Sequence, residues 1–133
     1  MASLNCVLCE GMVESVNHLF IHCAFAMEVW QCLLCWLDFN SVSPLNLFVH
    51  WECWTGAETN MKVRKGYQLI WHAAVWSILR ARNDRIFNNV ICEAAKLVEA
   101  IKVLLWGWKL SCLKVLTSLF YEWCWSPRDC LIR

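Results

Sequence analysis

Charge is scarce in this chain. Asp, Glu, Lys and Arg make up 17% of its 133 residues, while 59% are hydrophobic. So few charges cannot solvate a whole surface, and a freestanding monomer is expected to expose apolar patches. The chain reads as a piece of a larger protein, or as one that needs a partner. For all its hydrophobicity it lacks an uncharged apolar run of membrane-spanning length. The longest candidates, Phe39 to Trp51 and Gly66 to Leu79, are too short. The N-terminus lacks a basic region followed by an apolar one, so no secretory signal is read. The expected location is intracellular, with no dense basic targeting run to choose between nucleus and cytoplasm.

Other absences bear on chemistry. There is no glycine-rich phosphate loop. Asp38, Asp84 and Asp129 are scattered, without the clustering that a two-metal nuclease or polymerase site requires. No nucleophile, base and orienting group stand together, so no enzyme is expected. His50 and His72, in Trp-rich surroundings, are read as core or half-buried residues. A net charge of +1 is neutral on nucleic acid, and any basic footprint has to be local. No period-two alternation, internal repeat or low-complexity tract is present, and the expected fold class is all-α.

Helical periodicity, by contrast, is abundant. A first helix is expected from about Cys23 to Asp38, with Phe25, Val29, Leu33 and Trp36 on one face. The stretch from Asn40 to Pro44 breaks it, a short apolar segment runs from Leu45 to Trp54, and Thr55 to Asn60 is a second break. A long helix follows from about Met61 to Phe87, carrying a stripe of Val63, Tyr67, Ile70, Trp71, Ala74 and Ile78. Asn88-Asn89 closes it, because Asn tolerates the left-handed conformation. A further helix from about Cys92 to Trp108 shows Ala94, Leu97, Val98, Ile101, Leu104, Leu105 and Trp108 in clean i, i+3, i+4, i+7 order. Glu93, Lys96, Glu99 and Lys102 on its other face are spaced for i, i+3 charge pairs. Residues from Lys109 to Tyr121 can continue as helix. Pro127 is expected to stop it, and the tail from Arg128 to Arg133 reads as unstructured.

Ten cysteines are present. Without a secretory signal, reduced thiols are expected, most of them acting as small buried hydrophobes. The pair in Cys32-Leu-Leu-Cys35 has no nearby His and is read as core packing. The end, Cys130-Leu-Ile-Arg133, has the outline of a prenylation box. Arg is not a usual final residue of such a box, so chance is the reading. The N-terminal group is different. Cys6-Val-Leu-Cys9, then His18, then Cys23 place three thiols and an imidazole at spacings that suit one tetrahedral Zn²⁺. Gly11 can take a positive φ in the turn after Cys9. Cys23 falls at the start of a helix, where the dipole favours a thiolate. His22 is the rival imidazole, disfavoured because it adjoins Cys23.

The run Asn17-His-Leu-Phe-Ile-His-Cys-Ala-Phe-Ala-Met-Glu-Val-Trp30 resembles the zinc-binding domain that follows the reverse transcriptase in plant LINE-type (non-LTR) retrotransposon polyproteins. Trp71, Ala73 and Trp76, then Arg82-Asn83 and Ile86-Phe87, continue the likeness, as do Trp106 and Trp108. It covers roughly residues 4 to 108. Leu79 stands where the family often has Trp. The resemblance places the metal ligands on Cys6, Cys9, His18 and Cys23. It implies a non-catalytic zinc-binding module that binds RNA or DNA in its parent polyprotein. Neither the polymerase nor the ribonuclease H of such polyproteins lies within these residues, so a truncated retroelement fragment is the expectation. The fold would be a short N-terminal zinc-binding segment followed by about four helices in an irregular bundle, with residues 1–108 the zinc-binding domain. Residues 109–133 would be a divergent extension, partly helical and then disordered.

Two basic groups, Lys62, Arg64 and Lys65, and Arg80, Arg82 and Arg85, are the candidate phosphate contacts. A solvated helix face is the simpler reading of both. The alternatives to nucleic-acid binding are a remnant without function and a helical module whose apolar faces dock on itself or on another helical protein.

Overall fold

In a computed structural model the described residues are 5–9, 11–38, 46–56, 58–112 and 120–132. They form an all-α protein with no strand. The nearest approach to one is an isolated antiparallel bridge between Asn5 and Val13. The α-helices are α1 (Ala24–Leu37), α2 (Leu47–Gly56), α3 (Met61–Phe87), α4 (Ala94–Cys112), α5 (Phe120–Trp125) and α6 (Pro127–Ile132), and a π-helical turn spans His18–His22.

The long helix α3 is the axis of the fold. Asn60 caps its start, its side-chain oxygen accepting from the N–H groups of Lys62 and Val63 at 3.0 and 3.2 Å. At its end Asn89 takes a left-handed φ of 53°, as its Asn-Asn stop signals. The stripe of α3 is buried where the periodicity places it: Val63, Tyr67, Ile70, Trp71, Ala74 and Ile78 all lie in the core. Helix α4 buries Ala94, Leu97, Val98, Ile101 and Leu105 against α3 and α1. The i, i+3 pair Glu99–Lys102 forms at 3.2 Å, with the Lys102 ammonium lying over the Trp36 ring of α1. In α1 the buried face is centred on Ala26, Val29, Trp30, Leu33 and Leu37, while Phe25 and Trp36 lie at its margin.

Buried tryptophans are tolerated because their N–H groups find acceptors. Trp30 donates to the Phe20 carbonyl at 2.6 Å, Trp54 to Tyr67 at 2.8 Å and Trp123 to Lys102 at 2.9 Å. Trp71 donates to Nδ1 of His50 at 2.8 Å. His50 is thus a core residue, whereas His72 is exposed with its ring against Trp51.

Several expectations are revised. The apolar segment before Trp54 is a helix, α2. The tail from Arg128 is not unstructured: Pro127 opens α6, where its missing N–H costs nothing and its fixed φ suits the first helical position. Cys130 and Leu131 of α6 are buried, and together with Trp123 of α5 they belong to the same core as α1, α3 and α4. Cys35 is exposed, so of the Cys32/Cys35 pair only Cys32 packs on the core: Cys35 falls on the side of α1 opposite its buried face, and Cys32 lies nearer the margin. The nine cysteines whose side chains are described are all free thiols. The break from Asn40 to Pro44 and the helical continuation through 113–119 lie outside the described residues. Among the described residues no helix is long and apolar enough to cross a membrane.

Candidate metal centre

Two pieces of backbone bring the N-terminal Cys and His residues together. The first is the turn after Cys6, closed by the Cys6 N–H donating to the Met12 carbonyl at 2.8 Å. It places Cys6 and Cys9 side by side. Gly11 does not have a positive φ there, and a Cβ at that position would meet only the Cys9 carbonyl at an ordinary 3.8 Å. The turn therefore does not require glycine.

The second piece is the π turn. The Cys23 N–H donates to the His18 carbonyl at 2.6 Å, an i to i+5 bond. In an α-helix residues five apart point about 140° away from each other. The π bond instead brings His18 and Cys23 to one side. The Ser15 hydroxyl accepts from the His18 N–H at 3.0 Å and fixes the entry to the turn. Leu19, Phe20 and Ile21 are buried beneath it, and Asn17 accepts from the first N–H of α2, that of Leu47, at 3.0 Å.

The result is a cluster in which the ligand atoms of Cys6, Cys9, His18 and Cys23 all lie within 4.8 Å of one another. Cys6 Sγ is 3.7 Å from Cys23 Sγ, and Cys9 Sγ is 3.3 Å from Nε2 of His18. Cys6, His18 and Cys23 are buried and Cys9 half-buried. The cluster can hold a metal ion. His22, the rival imidazole, is exposed and stands outside it.

The thiols differ electrostatically. Burial pushes the Cys23 thiol up to about 12, although the Ala26 and Phe25 N–H groups at the start of α1 favour its thiolate. Burial also raises Cys9, but hydrogen bonds from the Gly11 N–H, His18 and the two other thiols outweigh it and bring Cys9 down to about 7. One thiol is thus poised to ionise near neutral pH, while another gives up its proton only to a strong competitor such as a cation.

The basic residues are dispersed by contrast. Arg64 donates through Nε to the Glu58 carbonyl at 3.0 Å, and the Arg80 guanidinium lies 5.3 Å from the Trp76 ring centre. Lys62 and Lys65 are exposed, and Arg85 donates to the Asn89 side chain at 2.9 Å. Arg82, expected as a phosphate contact, is paired with Glu14, a residue of the ligand loop. Along α3, Arg64 and Arg82 are separated by about 27 Å at the helical rise. The two basic groups do not form one patch. No protein-family model, curated protein or solved structure matches the chain.

Proposed function

We propose that the chain is a non-catalytic zinc-binding module of a retrotransposon-derived protein, one that binds RNA or DNA in its parent polyprotein. The spacing of the four donors carries the reading. In a zinc tetrahedron with ordinary bond lengths, two sulfurs stand about 3.8 Å apart and a sulfur and an imidazole nitrogen about 3.6 Å. Two of the six pairs here, Cys6–Cys23 and Cys9–His18, stand 3.7 and 3.3 Å apart, and all six lie within 4.8 Å. Three thiolates and one imidazole make a closed set with no open position for water, which suits a structural and not a catalytic ion. Zinc so bound supplies folding free energy to a segment with little regular structure of its own. Loading at neutral pH takes a proton from Cys23, whose thiol sits at about 12.

Contact with nucleic acid would fall on α3. Lys62, Lys65, Arg80 and Arg85 offer phosphate contacts near its two ends, and Trp76, 47% exposed beside Arg80, offers a ring for stacking. A second reading, a helical protein-interaction module, is favoured by the apolar residues around the C-terminal end of α3, where Phe87 and Ile91 are each 76% exposed.

Zinc stoichiometry of the purified chain, followed by titration of labelled single-stranded RNA and DNA at several salt concentrations, tests both. One zinc per chain, absent from Cys6→Ser and His18→Ala, with nucleic-acid affinity that falls as salt rises and drops in Arg80→Ala, is the expected result. Absence of zinc overturns the module. Zinc without salt-sensitive binding selects the second reading.

A further inference from the structure

Arg82 and Glu14 are 68 residues apart in sequence, yet they form a two-pronged pair. Nε of Arg82 meets Oε1 of Glu14, and Nη2 meets Oε2 at 3.0 Å. Nη1 is occupied by the Asn83 side chain at 3.0 Å, so the guanidinium is fixed on three of its sides. Both side chains are only about a quarter exposed, at 27% and 25%. The position of the pair is informative. Glu14 lies in the loop between ligands Cys9 and His18, and the π turn that carries His18 packs on α3, the helix of Arg82. Arg82 is held protonated first by its bond to Glu14, against the effect of burial, with smaller contributions from the charges of Glu14 and Cys6. The Glu14 carboxyl is lowered first by Arg82, and also by His18.

Three thiolates and a neutral imidazole around a divalent ion leave one net negative charge in a largely buried site. Such a charge requires compensation, and outer-shell groups commonly supply it. We infer that Arg82 is an outer-shell positioning residue of the metal centre, its guanidinium locked beside the ligand loop by Glu14 and offsetting the charge of the thiolates. This rests on the zinc reading above. It also gives Arg82 a role that competes with phosphate contact: a guanidinium bound on three sides is not available to a nucleic-acid backbone.

A merely mechanical clamp and a compensating cation predict different signs. Zinc affinity is measured at pH 7 by competition with a chromophoric chelator, for wild type, Arg82→Met, Arg82→Lys and Glu14→Gln, with circular dichroism of each zinc-loaded protein as the folding control. Arg82→Met is expected to weaken zinc by about tenfold to a hundredfold, the usual range for outer-shell changes. Arg82→Lys, which keeps the charge, recovers most of the loss. Glu14→Gln, which keeps an acceptor for Arg82 but removes a negative charge, binds zinc as tightly as wild type or more tightly. Equal weakening by Arg82→Met and Glu14→Gln overturns the inference in favour of a clamp, and so does an Arg82→Met protein with wild-type affinity. A wild-type chain that binds no zinc overturns the metal reading itself, which is a separate outcome.

Discussion

The segment from Asn5 to Cys23 and the helix pair α3–α4 are held by different physics. In the pair, Ile70 and Ile78 of α3 and Ile101 and Leu105 of α4 are almost wholly buried in one apolar core, so burial of apolar surface holds the two helices. In the N-terminal segment, Met12, Val13 and Val16 are each more than 60% exposed, and the backbone makes a turn, one bridge and a π turn instead of a helix of normal length. What is buried there is Cys6, His18 and Cys23, with Leu19, Phe20 and Ile21 between the last two. One region carries its own cohesion, and on the zinc reading proposed above the other would take it from four donor atoms and from the residues below them.

The sharpest way to break that contrast is to remove the ligands. Cys23→Ser, or excess chelator, is expected to abolish stoichiometric metal binding. Amides of 5–23 should then exchange with solvent within seconds, while those in the middle of α3 and α4 remain protected. Uniform loss of protection across all helices would show that the two regions are one cooperative unit. The reciprocal change acts on the other region. Ile101→Ala, at a site with no exposure, is expected to cost about 2–5 kcal/mol in urea denaturation of the zinc-loaded protein. Its zinc affinity should stay close to that of wild type.

A pH titration probes the joint between the two. His50 lies under the π turn, its ring among Trp30, Trp54 and Trp71, and burial lowers it from 6.5 to about 4. Below pH 6.5 the unfolded chain takes up this proton while the folded one does not until about pH 4. Stability is therefore whole above that window and is lost progressively as pH falls through it, by about 3 kcal/mol in all. Subtracting the urea stability of His50→Gln at each pH separates this slope from protonation of the metal ligands; parallel curves for the two proteins would refute it. The smallest effect is expected at Gly107, inside α4 with nothing within 4 Å of a would-be Cβ. Gly107→Ala should stabilise the helix body by about 1 kcal/mol or less, leaving metal binding unchanged. The same change at Gly66 would drive a Cβ to 2.5 Å from Leu131 and is expected to have the opposite sign.

Legibility in the sequence follows the same division. The long helices could be read because burial imposes a 3.6-residue period over many turns, and α3 begins and ends where its caps and stripe predict. Helix α2 was harder, since ten residues with Trp and His on several sides show no clear stripe. The stop before Pro127 was legible, since α5 does end at Trp125, but the start was not: proline ends a helix it interrupts and also suits the first turn of one it opens, here α6. In the candidate centre the donor types and spacings were legible, as were Cys6, Cys9 and His18 as a group with Cys23. The π bond was not, because nothing in His-Leu-Phe-Ile-His distinguishes an i+5 from an i+4 closure. Nor was the use of Arg82: from sequence it is one of several basic residues on a helix, and only the fold brings Glu14 to it.

The π turn has a further consequence for how the site is encoded. It is an α turn carrying one residue too many, a phase shift inserted just before α1. Close the same five residues as an α turn and Cys23 points about 140° away from His18; take one residue out of that turn as well, and an i, i+4 pair brings the two donors back to within about 40° of each other. The information for the site is therefore a count tied to a closure: five residues serve it only through the π bond, and four would serve it through an ordinary α turn.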